Sequence, residues 1–152
     1  MPNWCYNRVK VYGDEDTVEQ IKEIHDIFDN HTDPFNQIFP IPDFKNIPNE
    51  KGELPILEQH KGKDGEVMFE TYNFPDGTND DRWYMWCVNN WGTKWDACDK
   101  SVEYEDDEIL ALTFNTAWSP PEGIVERLRD NYPELTFQCF YDEPGCEIAG
   151  YY

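Results

Sequence analysis

The hydrophobic pattern of this chain switches between a period of two and a period near 3.6 in a fixed order, and that order limits its possible folds more than any single motif. Asn3 to Tyr12 reads as a strand, with Val9 and Val11 alternating against Arg8 and Lys10, and Gly13 stops it. Asp14 or Asp16 then caps a helix running to about Asn30, whose buried stripe is Val18, Ile21, Ile24 or His25, and Phe28. A second helix is expected over Asn79 to Asn90, with Trp83, Trp86, Cys87 and Asn90 along one side and Gly92 as a left-handed C-terminal cap. Trp95 to Tyr104 and Glu108 to Thr116 read as strands joined by the acidic turn Glu105-Asp106-Asp107. The second of these alternates cleanly, Leu110, Leu112, Phe114 and Thr116 against Ile109, Ala111, Thr113 and Asn115. Ser119-Pro-Pro-Glu122 has the form of a capping box opening a helix with Ile124, Val125 and Leu128. Leu135 to Tyr141 and Cys146 to Tyr151 complete the chain as strands.

Between His31 and Gly77 the periodicity disappears, and six of the eleven prolines fall there (Pro34, Pro40, Pro42, Pro48, Pro55 and Pro75). Only Glu66 to Tyr72 suggests a short strand. With this segment set aside, the order is β-α-β-β-α-β with a terminal strand added. That pattern is an α+β, ferredoxin-like split βαβ sandwich, an antiparallel sheet with helices on one face. The expected organisation is a single domain, 1–152, carrying an irregular Pro-rich insert at about 31–77 after the first helix.

Charge narrows the partners. Twelve Lys and Arg against thirty-two Asp and Glu give a net charge of −20. Nucleic acid and anionic membrane are therefore poor direct partners, since both repel such a chain at long range. This charge and a mean hydropathy of −0.82 are also found in disordered chains. Six Trp, nine Tyr and nine Phe, 16% of the residues, point instead to a packed core. No apolar run reaches the length of a membrane span, and MPNWCYNRVK lacks a signal-peptide core. The five cysteines are odd in number and form no CxxC, as expected of reduced thiols in a cytosol.

Five segments follow one another in a recognisable order: MPNWCYNRV, FNQIFPIP (Phe35 to Pro42), WCVNNWGTKWDACD (Trp86 to Asp99), FNTAWSPP (Phe114 to Pro121) and YDEPGCEIAG (Tyr141 to Gly150). Together they resemble the YubB ferredoxin-like family, small proteins carried mostly by bacteriophages and plasmids. The stretch from Asn46 to Gly77 departs from that pattern. The resemblance implies the fold, a mobile-element origin and a bacterial cytoplasmic location, and it implies no reaction. The family name refers to fold. An iron–sulfur cluster needs closely spaced cysteines, which this chain lacks.

No catalytic residue, metal ligand or cofactor is expected. His25, His31 and His60 are isolated, and no P-loop, GxSxG or GxGxxG occurs. Gly62-Lys63-Asp64-Gly65 lacks the strand–helix setting of a phosphate loop. A Cys–His pair stays open, though a free Cys is commonly a small buried hydrophobe. Two sets of residues stand out. Trp91, Lys94, Trp95, Asp96 and Trp118 form a candidate ligand or partner corner, to which Arg82, Arg127 and Arg129 could lend charge; the competing reading is a packed and fastened corner. Glu15, Glu19, Glu23 and Asp26 form a candidate acidic partner face on the first helix, against the alternative of a solvated surface. The expected function is non-enzymatic: an acidic accessory protein that binds and modulates a host protein with a basic surface, for example a defence or nucleic-acid enzyme. A small-ligand or nucleotide-signal binder using the Trp corner is the alternative.

Overall fold

The structure is a computed structural model that describes residues 2–152. It contains two compact units: residues up to Pro40 together with Cys87–Tyr152, and Ile41–Trp86.

The larger unit is built on a five-stranded antiparallel sheet. Its strands are β1 (Trp4–Tyr12), β4 (Cys98–Glu105), β5 (Ile109–Ala117), β6 (Thr136–Glu143) and β7 (Ile148–Tyr151), in the order β4-β5-β1-β6-β7. With the terminal β7 removed, this is the strand order of a ferredoxin-like sandwich. Helices α1 (Val18–Asp29), α2 (Pro34–Ile38) and α4 (Glu122–Asn131) cover one face, and α2 packs against both α1 and α4. The core has the alternation the sequence displays. Cys5, Val9 and Val11 of β1, Leu110, Leu112 and Phe114 of β5, and Phe137 and Cys139 of β6 are buried beneath Ile21, Ile24 and Phe28 of α1 and Ile124, Val125 and Leu128 of α4. Each large apolar side chain contributes about 1.5–3 kcal/mol by leaving water. Phe114 stacks on Phe28 (5.7 Å between ring centroids) and meets the edge of Phe35 of α2 (5.6 Å). A buried polar chain runs beneath β1: Asn7 Nδ2 donates to Thr116 Oγ1 (2.9 Å), and the Tyr152 hydroxyl donates to Asn7 Oδ1 (2.8 Å).

Several local expectations are corrected. Thr17, not Asp14 or Asp16, is the N-cap of α1, because Thr17 Oγ1 and the Asp14 backbone form their own turn (Asp14 N to Thr17 Oγ1, 2.8 Å). Glu15 therefore lies before the helix. The Ser119 capping box does not form: Pro121 is the N-cap of α4, and the Ser119 hydroxyl donates to Gly92 O (2.5 Å). The segment at 31–77 is not irregular throughout. Pro34 opens α2, a single 3₁₀ turn spans Phe44–Asn46, and β2 (Ile56–Lys61) pairs antiparallel with β3 (Val67–Asn73).

In the smaller unit, the Gly62–Gly65 stretch is the β2–β3 turn, with Gly65 at φ +82°. Both faces of this hairpin are open, with Ile56, Met68 and Phe69 each more than half exposed. Arg82 organises the rest of the unit. Its guanidinium holds the Asp80 carboxylate through two bonds (2.8 and 2.9 Å), donates to Phe44 O (2.8 Å), and lies over the rings of Phe44 (5.0 Å) and Phe74 (5.3 Å). The boundary between the units falls inside α3 (Arg82–Asn90).

Candidate functional site

The two ends of the large sheet differ in chemistry. Asn3 and Trp4 enter β1 at one end, beside the β5–α4 loop and the segment that leads from Gly92 into β4. Gly92, at φ +90°, turns the chain out of α3 and donates to Cys87 O (3.2 Å). Trp91 is buried, donates from Nε1 to Phe39 O (2.8 Å) and packs edge-on to Phe35 (5.8 Å). Thr93 Oγ1 donates to Ala117 O (2.9 Å), and Gly123 N donates to Trp91 O (3.0 Å). The Asp96 carboxylate accepts the backbone N–H groups of Phe35 (3.0 Å) and Asn36 (3.1 Å) at the start of α2, and that of Ala97 (2.8 Å). Burial pushes its pKa above the usual carboxylate range, outweighing those donors.

Of the five corner residues, Trp91 and Asp96 thus fasten the fold. Lys94, Trp95 and Trp118 reach the surface. Lys94 Nζ sits 4.2 Å from the Trp95 ring, and Trp95 meets Trp4 at 6.4 Å, a neighbour that sequence spacing does not reveal. Trp118 is 49% exposed on a left-handed backbone (φ +71°). The arginines expected to serve this corner have other occupations. Arg82 belongs to the hub of the smaller unit, Arg127 lies 4.2 Å over Phe39, and Arg129 donates to the carbonyls of Phe137 (3.2 Å) and Tyr152 (3.0 Å).

The opposite end of the sheet is acidic. Register sets Tyr12 at the end of β1 beside Ile109 and Thr136, and Gly13 N donates to Glu108 O (2.7 Å). Three segments therefore meet there: Asp14, Glu15 and Asp16 after β1; Glu105 at the end of β4 with Asp106, Asp107 and Glu108 of the β4–β5 turn; and Glu134 before β6. Lys and Arg are absent from all three segments. Asp106 is both charge and scaffold. It accepts the N–H groups of Glu108 (2.8 Å) and Ile109 (2.7 Å) and the Tyr104 hydroxyl (3.0 Å), and these donors hold its pKa below the usual range. Glu105 reaches His25 of α1 (3.1 Å).

The acids of α1 itself have neighbours within the fold. Glu19 pairs with Lys22 (3.5 Å), Glu23 accepts the Tyr132 hydroxyl (3.2 Å), and Asp26 accepts the Asn30 amide and stands 3.8 Å from His31. Of the four residues of the expected acidic face, only Glu15 belongs to the loop cluster. Glu105 to Glu108 are visible in the sequence as a charged turn; their meeting with Asp14 to Asp16 depends on strand register.

A further buried acid carries no sequence signal. Glu143 is fully buried, and its Oε2 accepts the Cys146 N–H (2.5 Å) inside the last turn. A Cβ on Gly145 would stand 2.7 Å from Asn3 Nδ2 and 3.0 Å from Glu143 Oε1, so a larger residue there would have to displace the Asn3 side chain. Burial pushes the thiols of Cys5, Cys87 and Cys139 up to about 11 and also raises Cys98, while hydrogen bonding to Glu143 raises exposed Cys146. Among the described residues no His, Cys, Asp and Glu group has metal-binding geometry, and no helix is long and apolar enough to cross a membrane.

Residues 90–152 match the family model described as the ferredoxin-like domain in Api92-like protein. No curated protein matches the chain. The structure is similar to the crystal structure of the protein api92 from Yersinia pseudotuberculosis, with a TM-score of 0.55 at 12% identity, over 99% of this chain and 93% of that one. The chain has the ferredoxin-like fold of api92, and its C-terminal part is similar to the corresponding domain of Api92-like proteins.

Proposed function

We propose that this protein acts by binding rather than by catalysis, and that its acidic sheet end engages the basic, nucleic-acid-binding surface of a partner protein. The observation that carries this reading is the convergence of three cation-free acidic segments on one end of a rigid sheet. Carboxylates fixed in this way stand where phosphates would stand. Long-range attraction accelerates such encounters by about 10- to 1000-fold and makes them sensitive to salt. The resemblance to a family carried by phages and plasmids supports a bacterial cytoplasmic setting and a host protein as the partner, with a defence or nucleic-acid enzyme as the kind of target.

The test is charge reversal at positions that do not hold the loops together. Glu15→Lys, Asp107→Lys and Glu108→Lys combined leave Asp106 in place to close its turn. The combined variant is expected to fold and to lose the partner. Unchanged binding would overturn the reading.

A further inference from the structure

The helix-free face of the large sheet carries chemistry that the acidic end does not use. Along β1, the side chains that alternate with buried Cys5, Asn7, Val9 and Val11 are Tyr6, Arg8 and Lys10. β1 is the central strand, so each has a neighbour on both sides. Tyr6 lies between Asn115 and Asp142, Arg8 between Thr113 and Phe140, and Lys10 between Ala111 and Gln138. Tyr151 of β7 extends the Arg8–Phe140 row. The Arg8 guanidinium stands 5.6 Å from the Phe140 ring centroid, and Phe140 meets Tyr151 at 5.2 Å. Two hollows share Arg8 and Phe140: one of about 190 Å³ bounded also by Lys10, Gln138 and Tyr151, and one of about 430 Å³ reaching Tyr6, Asp99, Asn115 and Asp142.

Three features of this face restrict its ligand. Among the described residues, neither Arg8 nor Lys10 has a carboxylate within 4.0 Å, in a chain where acids outnumber bases 32 to 12. Two adjacent cations with no carboxylate in direct contact suit an anion. Phe140, Tyr6 and Tyr151 offer ring surface for a planar group. Asp99 and Asp142, which also line the larger hollow, repel an anion and accept N–H donors; Asp142 faces Tyr6, one rung along the sheet from Arg8, and Asp99 already takes the Asn115 amide (3.2 Å). A ligand meeting all three conditions is planar, anionic at one end and rich in N–H donors at the other.

We propose that this face binds a mononucleotide, with its phosphate on Arg8 and Lys10, its base against Phe140 and Tyr6, and the N–H edge of the base toward Asp142. Guanine fits best, because its adjacent N1–H and N2–H₂ groups match the two oxygens of one carboxylate. Uracil sets carbonyl oxygens beside its single N–H and is disfavoured there. A polynucleotide fits poorly: two cations serve one phosphate group, and a net charge of −20 opposes a chain of them.

The test is a titration of the full chain with 5′-GMP, 5′-UMP, inorganic phosphate and a single-stranded RNA octamer, read by calorimetry and by backbone amide NMR shifts. GMP is expected to bind more tightly than UMP or phosphate and to shift amides of β1 and β6. Arg8→Glu and Lys10→Glu, each at a surface position and checked for retained fold by its NMR spectrum, are each expected to weaken GMP by about tenfold or more. Asp142→Asn is expected to remove the preference for GMP over UMP. Failure of GMP to bind at about 10 mM, tenfold above the millimolar Kd that corresponds to about −4 kcal/mol, would overturn the proposal. So would GMP and phosphate binding equally, unchanged affinity in both cation variants, or an octamer binding more tightly than GMP.

Discussion

Asp80 and Asp96 show how one residue type takes opposite roles in this molecule. Arg82 clasps the Asp80 carboxylate, whose side chain is only 5% exposed, and its hydrogen bond holds the pKa below the ordinary 3.8. Asp96 is raised above the same value by burial. The consequences for stability have opposite signs. Asp80 binds protons less readily in the folded state, so its contribution is present above pH 3.8 and is lost as the pH falls through its lowered pKa. Asp96 binds protons more readily in the folded state, so its unfavourable contribution is relieved as the pH falls through its raised pKa toward 3.8. Denaturant titrations against pH should therefore separate two variants. Relative to Asp80→Asn, the wild type loses stability on acidification below pH 3.8; relative to Asp96→Asn, it gains stability above pH 3.8 as acid is added. Identical slopes for the two comparisons would contradict these assignments.

At the scale of elements, the tightest junction is where α4 starts against the end of α3. A Cβ on Gly123 would lie 1.8 Å from Asn90 O, and Gly123 N donates to Trp91 O. Gly123→Ala is expected to force the helix start outward and to cost at least about 1–3 kcal/mol, the usual range for overpacking. Chemical denaturation measures it, and a neutral substitution would show that this junction yields. The same elements explain what the sequence reveals. β5 is legible because one of its faces is buried, so Leu110, Leu112 and Phe114 alternate with the less buried Ile109, Ala111, Thr113 and Asn115. β2 is not legible, because both faces of its hairpin are open and no alternation separates inside from outside, whereas β3 coincides with the short strand expected at Glu66 to Tyr72. Ser119 has the spacing of a cap, but a competing acceptor, Gly92 O, lies on a segment distant in sequence. Arg8 and Lys10 are visible as the outward residues of a strand. That Phe140, Tyr151 and Asp142 stand beside them is a consequence of register, which local pattern does not encode.

At the scale of the whole molecule, charge weighs most after the core. A net charge of −20 on 152 residues opposes compaction through self-repulsion, and that cost depends on screening. The Debye length falls from about 30 Å at 0.01 M salt to about 8 Å at 0.15 M. The thermal midpoint is accordingly expected to rise over that range of sodium chloride, and a midpoint that stays level or falls would contradict an uncompensated surface. Retaining such a cost is consistent with a partner that supplies the missing positive charge.

The most direct measurement is capture from a nuclease-treated bacterial lysate, with three baits compared at low and moderate salt. These are the wild type, the loop variant (Glu15→Lys, Asp107→Lys, Glu108→Lys), and a helix variant that reverses the same number of charges on α1 (Glu19→Lys, Glu23→Lys, Asp26→Lys). The wild type is expected to retain a basic nucleic-acid-binding protein, which salt and added DNA release. The loop variant is expected to lose that protein while the helix variant keeps most of it. Equal loss in both variants, or a partner that DNA does not displace, would contradict the claim that the acidic end of the sheet stands in for nucleic acid.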